Sequence, residues 1–474
     1  MYYTNIFHTL SVQTNATLNL TDMNTKSSNR ISRRKFIGTT TAAVAGFTIL
    51  PSQTVYGLGH ASPNSKLNIA GIGIGGMGRG VIENMSRSEN IVALCDVDWN
   101  ENVERVFQTY PGAKRYMDYR VMLDNQKDID AVIVATPDHT HAIISMEAIK
   151  RGKHVYTEKP LSRTVYEART LTEAARKYNV ATQMGNQGQA GDGPRRLREM
   201  IWDNVIGPVQ EVHVWTDRPN RGLSGTYWPQ GVNRPTGTPE VPETLNWDLF
   251  LGPAPERPYH SAYHPFRWRG WWDFGTGALG DIGCHSFDPV FRALKLKYPI
   301  GIQAVSTLVN DETYPLGSMV TYDFPAREDM PPLRLTWYDG GLRPPRIQGI
   351  DEGIQLGAGG TLFIGSKGMI LGNRILPQSL ADSYTRPEPY IESSPGHHQE
   401  WINACKGGDP AGSGYDWSGP LTETVLLGNI AIQPELREKL SYHTLKFDPE
   451  AFRFPDIPEA DNYLHYEYRN GWSL

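Results

Sequence analysis

At 474 residues, with a net charge of −5, the chain is too long for one ordinary core and lacks the basic excess that nucleic-acid binding uses. Hydrophobic content of 39% and charged content of 20% fit a globular protein of about two or three domains. Three cysteines exclude a disulfide framework, and Cys95, inside an apolar run, reads as a small buried hydrophobe.

Near the start, Ser32-Arg33-Arg34-Lys35-Phe36-Ile37 resembles the twin-arginine export signal, and the apolar stretch 37–50 follows it. That stretch is shorter than the ~20 residues a spanning helix needs. Residues 1–61 therefore read as an N-terminal extension with a signal peptide, and Met23 is an alternative start. The twin-arginine route carries folded proteins, often with cofactor already bound, so it implies an exported, periplasmic protein. No other apolar run is long enough for a stable membrane span.

From 67 to 72 the chain reads as a buried strand. Gly73-Ile74-Gly75-Gly76-Met77-Gly78 follows at once, and 81–85 reads as helix. A second strand, 91–95, ends in Asp96. This is the strand–turn–helix context in which G-x-G-x-x-G binds a dinucleotide: glycines admit the pyrophosphate and the helix N-terminus supplies donors. A carboxylate about twenty residues on, at Asp96, accepts from the ribose hydroxyls and repels a 2′-phosphate, which favours NAD over NADP. Asp98 reads as solvated, or as the cap of a helix over 100–109. Strands at 130–135, 154–157 and 180–184 end in polar clusters: Thr136-Pro137-Asp138-His139-Thr140-His141, Glu158-Lys159-Pro160 and Gly185-Asn186-Gln187. A helix over 142–151 separates the first two. Strands alternating with helices predict a doubly wound parallel sheet over 66–185, an α/β Rossmann domain with ligands beyond the carboxyl ends of its strands.

Residues 186–474 form the second domain. A helix is predicted over 194–202, and strands over 209–215, 302–307, 319–324 and 333–338. A late hairpin is predicted over 360–372, the whole making one broad sheet. Between the first two strands lies a Pro/Gly/Trp-rich insert, 218–274, placed as the rim of a carbohydrate site. Its Trp271 and Trp272 either stack on a sugar or fasten the insert. A Gly-rich loop over 338–359 and a helix opening at His397 complete the reading.

The glycine turn, the Asp96 strand end, the 135–141 cluster, Glu158-Lys159-Pro160 and Gly280-Asp281-Ile282-Gly283-Cys284-His285 together resemble the glucose–fructose oxidoreductase/inositol dehydrogenase (Gfo/Idh/MocA) family. The resemblance implies a Rossmann domain followed by an α+β domain with a large open, mostly antiparallel sheet. It implies Lys159, Asp281 and His285 as the catalytic group. His285 suits the base that takes a hydroxyl proton. Asp281, four residues earlier, either orients that ring or binds a substrate hydroxyl. Lys159 offers a donor to a developing alkoxide. The cofactor set is Gly73, Gly75, Gly76, Met77, Gly78, Asp96, Thr136, Pro137, His139, His141, Glu158 and Lys159. Asn186 and Gln187 either contact substrate or form a turn. His139 and His141 lack an obvious third ligand, so no metal is expected.

The expected function is an exported NAD-dependent oxidoreductase of a sugar, glycoside or cyclic polyol, with its cofactor bound and recycled, assembled as a dimer or tetramer. The first alternative is a redox-neutral, glycoside-cleaving enzyme. NAD-dependent α-N-acetylgalactosaminidases, however, carry Tyr-Pro-Thr-His-Gly where this chain has 281–285. The second alternative is a non-catalytic dinucleotide-binding regulator, which the presence of the full catalytic group disfavours.

Overall fold

Fully buried apolar runs become the strands of the first sheet: all of Ala131–Val134 is buried, as a strand covered on both faces requires. The computed structural model describes residues 66–474 apart from 351, 441 and 442, all within one unit; the twin-arginine segment lies outside the described residues. Strands β1 (Asn68–Ile72), β2 (Asn90–Cys95), β3 (Lys114–Tyr116), β4 (Ala131–Val134), β5 (His154–Glu158) and β6 (Thr182–Gly185) pair in parallel in the order β3-β2-β1-β4-β5-β6. This is the expected doubly wound sheet.

The helices between them are α1 (Met77–Met85), α2 (Glu101–Thr109), α3 (Tyr119–Asn125), α4 (Asp138–Lys150) and α5 (Val165–Tyr178). The Asn100 side chain caps α2, accepting from Asn102 and Val103, and Val103, Val106 and Phe107 form its buried face. Thr164 and Glu167 make a capping box at the start of α5, and Asn179 ends it in the left-handed region at φ 51°. Two helices begin earlier than expected. α1 starts at Met77 rather than 81, inside the glycine motif. α4 starts at Asp138 rather than 142, with Pro137 at its N-cap. His139 and His141 therefore stand on a helix, not on a loop.

The second sheet comprises β7 (Val209–Trp215), β8 (Gly301–Ser306), β9 (Ser318–Phe324), β10 (Leu333–Tyr338), β11 (Gly360–Gly365), β12 (Met369–Leu371), β13 (Arg374–Leu376) and β14 (Leu445–Lys446). Its order is β13-β12-β11-β7-β10-β9-β8-β14, and only β7 with β10 runs parallel. Helices α6 (Asp192–Trp202), α7 (Trp247–Leu251), α8 (Gly277–Leu294), α9 (Gln378–Ser383), α10 (His397–Cys405), α11 (Tyr415–Ala431) and α12 (Pro434–Leu440) accompany it. Phe287 of α8 meets Tyr322 and Trp337 of this sheet edge-on, with ring centroids 5.7 Å apart. A single apolar core runs from Ala70 and Val132 to Leu335 and Trp337, so it serves both sheets. Among the described residues no helix is long and apolar enough to cross a membrane.

α11 lies against α5 and ties the second half back onto the first. Arg169 of α5 donates from its guanidinium Nε and Nη2 to the buried Glu423 carboxylate of α11, at 2.6 to 3.1 Å. Removing one partner of a buried pair leaves the other charge uncompensated. Glu423→Ala should therefore cost about 3 kcal/mol in denaturant-induced unfolding, whereas exposed pairs such as Lys439–Glu459 should cost far less.

Candidate active site

β1 delivers the glycine turn at its carboxyl end. Gly73 has φ 79°, and a Cβ there would lie 2.7 Å from the Ala135 backbone. A Cβ on Gly78 would lie 2.1 Å from the Gly73 carbonyl oxygen. Only glycine fits either position. Gly76, by contrast, faces open space, and α1 begins there without a side-chain cap. The turn is thus a cradle leading into the uncapped N-terminus of α1, the arrangement that accepts a pyrophosphate. Asp96 lies beneath it: one carboxylate oxygen accepts from Ile74 and Gly75 N–H, at 2.8 and 3.2 Å, and the other from Asp98 N–H at 3.1 Å. Burial pushes its pKa up to about 6, with the backbone donors opposing. At neutral pH it is largely ionised.

A cavity of about 520 Å³ extends from this cradle across the ends of β4 and β5. Gly73, Gly75, Gly76, Met77, Asp96, Thr136, Pro137, His141, Glu158, Lys159 and Asp281 all line it. Lys159, at the end of β5, donates to the Asp281 carbonyl oxygen (2.6 Å) and to its Oδ1 (2.8 Å). Arg269, from the insert, donates to the same Oδ1 at 3.1 Å. Burial opposes the charge on Asp281, but the two cations outweigh it and hold its pKa at about 2. Helical spacing places His285 one turn further along α8, with part of its ring open to solvent. The surrounding protein and the Lys159 charge pull its pKa down to about 4, so it is neutral at physiological pH.

Two further carboxyl groups face the cavity. Asp138 accepts from Thr276 Oγ1 at 2.6 Å, and burial pushes its pKa up to about 7. Glu158 accepts from the Gln187 amide at 3.0 Å, and burial raises it to about 7 against the Lys159 charge. His141 fixes the loops around them: its ring nitrogens lie 2.7 Å from the carbonyl oxygens of both Pro160 and Thr136.

Several sequence-assigned residues stand elsewhere. His139 does not reach the cavity: it is fully buried, with ring nitrogens 3.2 Å from the Phe274 and 2.8 Å from the Phe250 carbonyl oxygen. It fastens the insert to α4. Trp271 is buried with its indole N–H donating to Ala262 inside the insert, and Trp272 donates to Asn310, which fastens the insert to the segment after β8. Asn186 is buried and donates to Asp288 at 2.9 Å. Gln187 braces Tyr156 as well as Glu158. The insert is not a rim set apart from the cofactor half. Thr244 Oγ1 donates to Asp98 at 2.7 Å, Asn246 N–H donates to Val97, and Phe250, His264, Phe266, Trp268 and Arg269 roof the cavity. Asp98 is accordingly buried rather than solvated. Arg269 is the residue that motif reading missed; its position twelve residues before Asp281, amid aromatics, was the available signal.

Residues 67–186 match the family described as an oxidoreductase family with an NAD-binding Rossmann fold, and residues 220–308 match the oxidoreductase family's C-terminal alpha/beta domain; these are the two Gfo/Idh/MocA domain types. The chain is 30% identical over 174 residues to the levoglucosan dehydrogenase of Pseudarthrobacter phenanthrenivorans, covering 36% of this chain and 34% of that protein. It is 29% identical over 150 residues to the inositol 2-dehydrogenase of Salmonella typhimurium, covering 31% and 44%. It thus spans less than half the length of these curated relatives. In fold it is similar to the WlbA dehydrogenase of Bordetella pertussis in complex with NADH and UDP-GlcNAcA. There the TM-score is 0.54 and the identity 18%, over 79% of this chain and 98% of that one. The aldose–aldose oxidoreductase of Caulobacter crescentus complexed with glycerol gives a TM-score of 0.52 at 17% identity, over 81% and 100%.

The raised Asp138 pKa has a consequence for stability. A carboxyl raised from 3.8 to about 7 contributes stability that is complete below its unfolded pKa and is lost as pH rises through 7. Asp138→Asn should therefore flatten the fall in cofactor-free stability between about pH 4 and pH 8. Denaturant unfolding of both proteins across that range checks it.

Proposed function

We propose, from the premise that residues 67–186 and 220–308 are the two domains of the Gfo/Idh/MocA oxidoreductase family, that this protein is an NAD-dependent dehydrogenase. Its substrate is a hydroxyl of a sugar, glycoside or cyclic polyol. The observation that carries the reading is the Lys159–Asp281 ion pair, which opens onto the same cavity as the glycine cradle. Bound there, the dinucleotide supplies the hydride acceptor.

The chain's own residues handle position and protons. Lys159 has three N–H donors and uses two on Asp281, which leaves one for the substrate oxygen. Its charge stabilises the alkoxide that forms there. Asp281 orients Lys159, and its Oδ2, which takes no hydrogen bond from the described residues, is available to a substrate hydroxyl. His285, neutral near pH 7, is the base that accepts the hydroxyl proton. The aromatic roof excludes water from the site.

Asp96 favours NAD: its ionised carboxylate repels a 2′-phosphate. The Arg33-Arg34 motif supports export of the folded protein with NAD already bound, since free dinucleotide is scarce outside the cytoplasm. A second substrate would then reoxidise a retained cofactor.

Lys159→Ala should lower sugar-dependent NADH formation about a thousandfold while leaving dinucleotide binding intact. Unchanged turnover would refute the assignment. The dinucleotide released from the purified protein should be NAD, and mass spectrometry identifying NADP would contradict the role given to Asp96. Glycoside cleavage without net NADH would instead establish the redox-neutral alternative.

A further inference from the structure

The cavity has a second cover besides the insert. The segment 464–474, beyond the last strand, crosses both the Rossmann domain and the insert. The Leu464 carbonyl accepts from Tyr166 N–H at 3.0 Å, and Tyr468 OH donates to the buried Glu167 at 2.7 Å. The Arg163 guanidinium lies 3.5 Å from the centre of the Tyr466 ring. Arg469 then grips the insert helix α7: it donates to Asp248 Oδ1 (2.6 Å), to the Asp248 carbonyl (3.0 Å) and to the Gly252 carbonyl (3.1 Å), while its own N–H donates to Pro253 at 3.0 Å. Three residues later, Trp472 lines the cavity beside Met117, Tyr119, Leu249 and Phe250. The Arg120 guanidinium sits 4.4 Å over its ring, and the same guanidinium is paired with Asp118, which caps α3.

Met117 and Tyr119 follow β3, at the edge of the β1–β3 half of the sheet. In a doubly wound sheet this half holds the adenosine, and the β4–β6 half, where Lys159 stands, holds the nicotinamide. The Trp472 ring is therefore at the adenosine end, opposite the reacting end. An aromatic ring at that position offers an apolar face to a purine.

We propose that the segment 464–474 is a clasp that retains the dinucleotide, with Trp472 as the wall against the adenosine and Arg469 as the latch joining that wall to the insert. Glycines in the turn admit the pyrophosphate; the clasp governs how slowly the whole molecule leaves. The proposal rests on the reading that the cofactor is retained. It concerns dissociation and leaves the chemistry at Lys159 untouched.

The test loads the full chain with isotope-labelled NAD and follows its exchange for unlabelled NAD by rapid gel filtration. Trp472→Ala and Arg469→Gln should each speed release about tenfold or more, the scale of losing one charged or aromatic contact. Trp472→Phe should restore most of the retention. Melting of the cofactor-free variants checks that the fold survives, and Arg437→Gln, a surface guanidinium at the sheet's far edge, serves as the neutral control. If all variants released NAD at the wild-type rate, the clasp would be refuted while retention stood. If the wild-type chain itself exchanged NAD within the dead time, retention and clasp would fall together.

Discussion

Two cations converge on one carboxylate oxygen. Lys159 and Arg269 both donate to Asp281 Oδ1, from the end of a Rossmann strand and from the insert, while Asp281 itself belongs to α8 of the second half. A carboxylate buried alone would protonate; here the paired charges keep it ionised. The requirement works in both directions, because the cations also need the anion. It holds three separate segments at one point and fixes the orientation of Lys159 at the cavity wall.

The rest of the polar architecture supports that junction. His139 and His141 stand two residues apart on α4 yet do different things. The His139 ring nitrogens lie within hydrogen-bonding distance of the insert's carbonyls at Phe250 and Phe274, and those of His141 within reach of Thr136 and Pro160 on either side of the cavity floor. Trp271 directs its indole N–H into the insert itself, and Trp272 directs its own to Asn310 beyond it. The aromatic residues of the insert thus form a small core of their own, with Phe250, Tyr263 and Phe274 at its centre, that rests on the Rossmann domain through Asp98 and Leu245. Its weight of apolar burial keeps a long, irregular segment in place as a roof.

Much of the fold was legible because its signals are local. Apolar runs ending in polar clusters located β1, β2, β4, β5 and β6, and strand-like runs in the second half located β7 through β12 but not the short β13 and β14. What escaped notice was weakly patterned or short. β3 has three residues, two of them exposed, and no apolar run, and α11 is buried on nearly every side, which erases the amphipathic period. α5 was missed although its Thr164–Glu167 capping box was readable. In the site, the glycine turn, Asp96, Lys159 and Asp281 were found by motif, and the cavity gathers all of them. His139, Asn186, Trp271 and Trp272 were named by proximity in sequence, and each instead makes an internal hydrogen bond away from the cavity lining.

The sequence by itself determined that a dinucleotide cradle exists and that a Lys, an Asp and a His accompany it. Glycine at 73 and 78 is demanded within the turn itself, by the positive φ of Gly73 and by the close approach of Gly78 to the Gly73 carbonyl. Tertiary structure alone decided that Arg269 joins Asp281, that Asp98 is buried under the insert, and that Trp472 walls the cavity. The reason is physical: those roles depend on which groups tertiary packing brings together, Thr244 and Asp98 across 146 residues of chain, and burial rather than local spacing selects them.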